Sequence, residues 1–503
     1  MSLDLGRLRN RFRRLFISGL GTRERMRPRT RLVLALLIFL LSFATRSLQA
    51  VDLSPLMYTS EQPFGGLTRG YDRRAQSILD GEGLLGPYDI EPSRTMWLSQ
   101  APGYSIYLSA LYRIAGRDFF NVQLIQNLLN SLGPVLIFLI AGRVLSWRVG
   151  VVSGGLAALS HHLSHISNFI LPDSLAALPV LAALYLIVMA NRARRHSYWL
   201  YSSAGLLLGL AAWLRPQTML LSAFLAAMLV LITARRLDTI KCAGVMVIVS
   251  VLTIAPITIR NLLVYGELVP INIGLGIVLW EGIADASGDR FGAVARDEEV
   301  AEQDAVLYGD ARYAGSWSTP DGIQRDRDRI KRSLAVIREH PFWYSGVMLG
   351  RMRQMLSYSA HAPLVFDIQR AQANERTEPI QEGSDVTPSG SSLATGRSIY
   401  WMRPVLRPLQ RLAKEAMQVM VALGALACFI ASRRRARFIS IVPLYYLLFQ
   451  SLVHTEFRYT LPMQYFVFVF AAIAWVLIGA AIWQGAKRVV NRTAVSRLSQ
   501  TTA

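Results

Sequence analysis

Seven polar residues stand out in a chain dominated by apolar runs: Asp72, Asp173, Arg215, Arg260, Glu456, Arg458 and Tyr459. All fall where apolar segments give way to polar ones. Carboxylates so placed can take up a proton, and arginines can hold an anion in a rigid donor fork. Arg260 poses the question most sharply. A cation at the rim of a membrane helix costs free energy unless it snorkels to water or meets an anion. It closes a long apolar run and is followed by Asn261 and a loop punctuated by Gly266 and Pro270. A lipid headgroup would satisfy it as well as a substrate. Asp72 and Asp173 have a plain alternative too, as acids near helix N-termini held by the dipole. His161-His162-x-x-His165 has residues four apart on one helix face but no acidic third ligand nearby, so interfacial histidines are the simpler reading than zinc. The acidic run from Asp285 to Asp304 lacks calcium-loop spacing.

Membrane-crossing helices must position these residues. The 503-residue chain is 52% hydrophobic with a mean hydropathy of +0.32, and its apolar runs are continuous rather than alternating. That pattern selects helices and rejects a barrel. Spans are expected at about 31–50, 121–145, 148–169, 172–190, 198–214, 217–234, 240–259, 414–431, 438–453 and 461–483. The fold class is therefore an all-α polytopic membrane protein of about ten helices. A basic cytoplasmic segment (1–31) precedes a transmembrane domain (32–483), and a basic tail (484–503) follows. Two long outer loops, 51–120 and 262–414, carry interfacial helices at 71–83, 99–116, 319–339 and 340–359. Residues 373–398 read as a mobile loop.

The net charge of +21 does not indicate nucleic acid, because of how it is distributed. Ten arginines fall in the first 31 residues. The other clusters (Arg192/Arg194/Arg195, Arg235/Arg236/Lys241, Arg433–Arg437, Lys487/Arg488/Arg492) all map to the cytoplasmic side of a ten-span topology. Both termini are then cytoplasmic, and the seven polar residues share the outer face around an outward-facing cavity. The first apolar run lacks a small-residue cleavage site and reads as an anchor. Cys242 and Cys428 suggest neither a disulfide nor a metal site.

Several motifs, in order, resemble the GT-C class of membrane glycosyltransferases, and within it the protein O-mannosyltransferases and lipid A aminoarabinose transferases. They are Tyr71…Ala75…Leu79-x-Gly81-x-Gly83; Ala101-Pro102-Gly103-Tyr104; Pro172-Asp173-Ser174-Leu175; GLLLGLAAWLRP at 205–216; Pro256-x-x-x-Arg260-Asn261 with Tyr265-Gly266 and Asn272-x-Gly274-x-Gly276; and Glu456-x-Arg458-Tyr459-x-x-Pro462. The resemblance implies an inverting transfer of a monosaccharide from a polyprenyl-phosphate carrier to a lipid glycan, polysaccharide or protein at the extracytoplasmic face of a plasma (bacterial inner) membrane. It implies a carboxylate as general base, Asp72 or Asp173, and arginines around the leaving phosphate: Arg260, Arg458 and Arg215, with Tyr459 and Asn261. Glu456, Tyr71 and Asn272 would support them. The chain departs from the family where the base is expected, since Leu67 or Thr68 stands there; Glu61 and Asp52 are further alternatives to Asp72. A divalent metal, magnesium or manganese, would belong on the acidic side. A lipid-linked glycan flippase or an envelope-assembly scaffold would share the topology but not the need for these side chains.

Overall fold

The computed structural model describes residues 26–58, 62, 64–81, 95–190, 197–232, 236–357, 362–365, 400–431 and 433–501. Most of the basic N-terminal segment, Glu61, the Arg192–Arg195 cluster, Arg235 and the 373–398 loop lie outside them. Among the described residues all regular structure is helical, in eighteen α-helices with short 3-10 turns. Six helices are long and apolar enough to cross a membrane: Pro28–Leu53, Phe119–Val144, Asp173–Ala190, Leu237–Tyr265, Arg403–Ile430 and Phe457–Lys487. Helices also occupy the other four expected segments, but they are shorter or more polar.

α1 (Pro28–Leu53) starts with proline at its first turn, where the missing N–H costs nothing. α2 (Gly65–Leu79) and α3 (Gly103–Ala115) form the first outer loop. α4 (Phe119–Asn130) is capped by Asp118, whose side chain accepts from the backbone N–H groups of Phe120 at 2.7 Å and Asn121 at 3.2 Å. α5 (Leu132–Val144) continues the same span. The expected span at 148–169 is instead two helices, α6 (Trp147–Leu159) and α7 (His161–Ile166). The break has a local cause: Ser160 leaves the helical conformation and its hydroxyl accepts from the Leu163 N–H, starting a new helix.

α8 (Asp173–Ala190), α9 (Ser197–Leu214), α10 (Leu221–Ile232) and α11 (Arg236–Tyr265) follow, with α9 packed between α8 and α11. Gly205 and Gly209, one turn apart, let α9 lie directly on α11. A Cβ at Gly209 would stand 2.5 Å from Thr253 Cβ, and one at Gly205 would collide with the Met246 carbonyl. The Trp213 indole N–H then donates to the Thr253 carbonyl at 2.9 Å, fixing the end of α9. α11 does not stop at Arg260; it runs on to Tyr265.

The second outer region holds α12 (Leu275–Ser287), α13 (Asp297–Tyr308), α14 (Gly322–Glu339) and α15 (Pro341–Leu356), with a core of Ile277, Trp280, Ile283, Ala293, Val300 and Tyr344. Asp304, wholly buried, accepts there from Arg325 (3.4 Å) and Arg329 (3.0 Å) through one oxygen and from Arg332 (3.1 Å) through the other. α16 (Arg403–Ala431) begins eleven residues before the expected span at 414 (414 − 403 = 11). α17 (Arg433–Gln450) and α18 (Leu461–Thr501) complete the bundle, and α18 carries the expected tail as helix. The start of α8 and α18 and the end of α9, α11 and α17 fall at one end of the bundle; Arg433–Arg437 and Lys487 fall at the other.

Candidate functional site

At the first of these ends, polar residues from three chain segments gather around the ring of Tyr459. Asp173 is the first residue of α8, and Arg215 follows the last of α9. The close α9–α11 crossing and the antiparallel α8–α9 pair bring them together, so that Arg215 Nη2 donates to Asp173 Oδ2. Asp173 is 2% exposed, and its carboxylate also lies at the positive end of α8. From the third element, Arg458 grips Glu456 through two bonds, Nε to Oε2 at 2.6 Å and Nη2 to Oε1 at 2.9 Å. The Arg215 and Arg458 guanidiniums sit 5.1 and 4.9 Å from the centre of the Tyr459 ring. Gln217 fastens the two chain segments: its amide donates to the Tyr459 carbonyl, and its own carbonyl accepts from Tyr445, both at 2.6 Å.

Three buried atoms of this cluster have no hydrogen-bond partner among the described residues: Asp173 Oδ1, Arg215 Nε and Arg458 Nη1. Buried polar groups left unpaired are costly, so an orphaned acceptor and two orphaned charged donors in one cluster mark a place built for a ligand. Tyr71 on α2 is buried beside them, in the field of Arg215, Asp173 and Arg458. Phe64 caps the group with its ring 4.2 Å from the Arg458 guanidinium. It adopts a positive φ of 58°, a strained conformation for a side chain of its size. Its place just before α2 gave no signal in the sequence.

Asp72 is elsewhere. It lies eight residues into α2 (65 to 72, inclusive), which overturns its reading as a helix N-terminal acid. One carboxylate oxygen accepts from Tyr112 at 2.6 Å and both are taken by Arg117, at 3.2 and 2.6 Å, at the α3–α4 junction. Burial and that carboxylate hold the Tyr112 phenol far above its ordinary range. Arg117 was invisible as a partner because nothing in the sequence says which face of α2 meets α3. Asp52 is buried at the end of α1.

Arg260 is likewise apart from the Tyr459 cluster. It bonds Asn261 Oδ1 at 3.2 Å and Tyr265 at 3.4 Å, and lies over the Tyr265 ring. It lines a small separate cavity with Arg74, Trp97 and Gln100. The Asn261 amide donates to the carbonyls of Val269 (2.9 Å) and Ile271 (3.0 Å), so it fixes the loop after α11 instead of facing a donor. Asn272 donates to the neighbouring Ile273 carbonyl at 2.8 Å. The expected set of site residues thus divides into the Tyr459 cluster, the Asp72 junction and the Arg260 cavity.

The segment leading to Glu456 is clamped by the outer region. Buried Arg351 of α15 donates to the Ser451 carbonyl at 3.1 Å and to that of Gly282 in α12. Tyr344 donates to the Leu452 carbonyl at 2.5 Å, and the His454 N–H to that of Val278 at 2.8 Å. The His454 ring contacts Asp285 and stands 3.8 Å from Glu456. Glu456, then Asp285, hold the imidazole proton, raising its pKa to about 9. Although half-burial opposes it, His454 and Arg458 bring Glu456 down to about 2. Burial and the adjacent Asp297 push Glu281, on the same helix as Asp285, up to about 8.

Among the described residues no three His, Cys, Asp or Glu side chains form a group that could hold a metal ion. The free oxygen of Asp173 is flanked by two guanidiniums, whose charge opposes a divalent cation. The three histidines pack edge-on instead, His162 against Phe457 and His165 against Phe169.

Residues 99–259 match the sequence model of a family described as dolichyl-phosphate-mannose-protein mannosyltransferase. The matched stretch contains Asp173 and Arg215, stops just short of Arg260, and excludes Glu456, Arg458 and Tyr459. It agrees with the GT-C resemblance of the sequence motifs. No curated protein matches the chain. Among solved structures, the chain is similar to the oligosaccharyltransferase of Archaeoglobus fulgidus in the apo form, at 12% identity and a TM-score of 0.46 over 92% of this chain and 52% of that one. AglB of the same organism, in complex with an inhibitory peptide and a dolichol-phosphate, gives 13% and 0.46 over 91% and 52%. ArnT from Cupriavidus metallidurans bound to undecaprenyl phosphate gives 16% and 0.36 over 90% and 78%. The chain spans about half the length of the archaeal oligosaccharyltransferase.

Proposed function

We propose that this protein is an inverting glycosyltransferase that moves a monosaccharide from a polyprenyl-phosphate carrier to a hydroxyl of a lipid glycan, polysaccharide or protein. The observation that carries this reading is the trio of orphaned atoms around Tyr459. An unpaired carboxylate oxygen beside two unpaired arginine donors suits one reaction type: proton removal from an acceptor paired with expulsion of an anionic leaving group. The family match over 99–259 supports the donor class.

In this mechanism the acceptor hydroxyl donates to Asp173 Oδ1 while Arg215 holds Oδ2 and so fixes the carboxylate plane. The hydroxyl oxygen attacks the anomeric carbon as its proton passes to Asp173. The bond from that carbon to the phosphate oxygen breaks on the opposite face, inverting the centre. The electron pair leaves with polyprenyl phosphate, whose charge is met by Arg215 Nε and Arg458 Nη1. Glu456 and Tyr459 hold Arg458 in place. Asp72, saturated by Tyr112 and Arg117, braces α2 against α3 rather than acting as base.

In the proposed topology the ten helical segments all span, the termini are cytoplasmic, and the site faces outward across a bacterial inner membrane. The positive-inside distribution supports that orientation. The test is transfer of labelled sugar from synthetic short-chain polyprenyl-phosphate sugars by purified protein, with and without EDTA. Transfer that persists in EDTA and is lost in Asp173→Asn is expected. Loss in Asp72→Asn with Asp173→Asn active would move the base to Asp72, and no transfer from any donor would favour a flippase.

A further inference from the structure

One face of α4 is lined with amides. Gln123, Gln126, Asn127 and Asn130 recur at the spacing that stacks side chains along one side of a helix, and all four are buried. Opposite them the helices break. Residues 167–172, between α7 and α8, are non-helical and buried, and buried carbonyls without partners are costly. The amide stripe supplies donors. Gln123 Nε2 donates to the Asn168 carbonyl at 2.7 Å, and Gln126 Nε2 donates to those of Ser167 at 2.8 Å and Phe169 at 2.9 Å. Asn127 Nδ2 donates to Asn168 Oδ1 at 2.7 Å, and Asn130 Nδ2 to Ser174 Oγ at 3.0 Å. Asp173 therefore stands between two points that α4 anchors.

Gln126 is the most constrained member of the stripe. Besides its two donated bonds, its Oε1 accepts from the Tyr104 hydroxyl at 2.8 Å. A primary amide has two N–H donors, so none is left over, and a half-turn of the group would aim oxygen at two carbonyls. The other three amides each keep an oxygen with no hydrogen-bond partner among the described residues. Tyr104 of α3, also buried, lies edge-on to Tyr71 with ring centres 5.1 Å apart, and Tyr71 is the residue in the field of Asp173, Arg215 and Arg458.

The Asp173 side chain has one bond, to Arg215, so the direction of its free oxygen depends on where the backbone at the start of α8 lies. We infer that Gln126 is a positioning residue for Asp173: it fixes the backbone from which the carboxylate meets the acceptor hydroxyl, without touching substrate. The inference rests on the reading of Asp173 as the base. A misplacement of about 1 Å at a reacting group can cost about 10²-fold in rate.

The experiment is a double-mutant cycle on sugar transfer that pairs Gln126→Met, which keeps side-chain length and loses the amide, with Asp173→Asn. Initial rates are taken per folded molecule. Alone, Gln126→Met is expected to lower kcat about 10- to 100-fold with donor KM within about twofold, because Arg215 and Arg458 stand on other segments. In the Asp173→Asn background it should lower kcat by less than about twofold, since no base remains to be aimed. A purely structural loss would multiply instead. Gln410→Met removes an equally buried glutamine, on α16, from the Val365 N–H, and is expected to keep kcat within about twofold. If Gln126→Met does not fold, Tyr104→Phe takes its place. It removes only the hydroxyl that holds the amide and should lower kcat about three- to tenfold, again only where Asp173 is present. An unchanged kcat, a loss carried by donor KM, or equal losses with and without Asp173 would overturn the inference and leave the glycosyltransferase reading intact. No transfer by wild type would overturn both.

Discussion

Two buried acids surrounded by arginines, Asp173 and Asp304, behave in opposite ways. Asp304 is filled: both oxygens accept from guanidiniums, and Arg325 and Arg329 also reach the carbonyls of Pro320 (3.0 Å), Ser316 (2.9 Å) and Trp317 (2.6 Å). That cluster ties α13, α14 and the loop between them into one core. Asp173 is half filled, with a single arginine bond and a free oxygen; its arginine neighbours lie over a tyrosine ring, as those of Asp304 lie over Tyr313, Trp317 and Trp280. Residue types alone would not separate the two. The difference lies in the acid itself: Arg329 Nη1 and Arg332 Nε beside Asp304 lack hydrogen-bond partners too, but of the two acids Asp173 alone keeps a free oxygen, and a free carboxylate oxygen is what a proton transfer can use.

The sharpest way to break this comparison is to remove the free oxygen. Asp173→Asn is expected to lower the rate of sugar transfer by about 10²–10⁴-fold with a small change in donor KM, as measured by initial rates. Asp304→Asn should do the reverse. It leaves two buried arginines, Arg325 and Arg329, and the partly exposed Arg332 without their shared anion and is expected to cost about 3–5 kcal/mol of stability, read by thermal unfolding in detergent, with rates per folded molecule nearly kept. Arg458→Lys keeps the charge but loses the fork on Glu456, so donor KM should rise about tenfold while the unfolding temperature barely moves.

A smaller effect concerns the clamp before Arg458. The raised His454 contributes stability that is full below its ordinary pKa of 6.5 and lost as pH rises through about 9. The lowered Glu456 contributes stability that is full above 4.5 and lost as pH falls toward 2. The unfolding temperature should therefore peak between these limits and fall on the alkaline side, and His454→Gln should flatten the fall at pH 9. Asp72→Asn is expected to have the least effect on turnover, less than tenfold, seen chiefly as a lower unfolding temperature.

Much of the architecture was legible in the sequence because continuous apolar runs have few alternatives to helix. Each expected span holds a helix, and Asp173, Arg215, Glu456, Arg458 and Tyr459 do meet at one end. What the sequence leaves unread is contact between helices: the partner of Asp72, Arg117, lies across a helix contact that no local pattern reports. The split at Ser160 turns on one side-chain hydrogen bond, and α16 starts early despite Pro408 inside its second turn, with Pro404 in the first, where proline is tolerated. Arg260 looked terminal because the apolar run ends there, whereas α11 continues for five more residues (265 − 260 = 5). Hydropathy marks where lipid contact ceases, and a helix can outlast that point.

The grip of Arg351 and Tyr344 on residues 451 and 452 has a practical consequence for engineering. The outer helices share hydrogen bonds with the very backbone that presents Glu456 and Arg458. A chimaera that exchanged residues 275–356 for those of another protein would therefore also misplace the arginine it left untouched, unless residues 451–456 travelled with the graft.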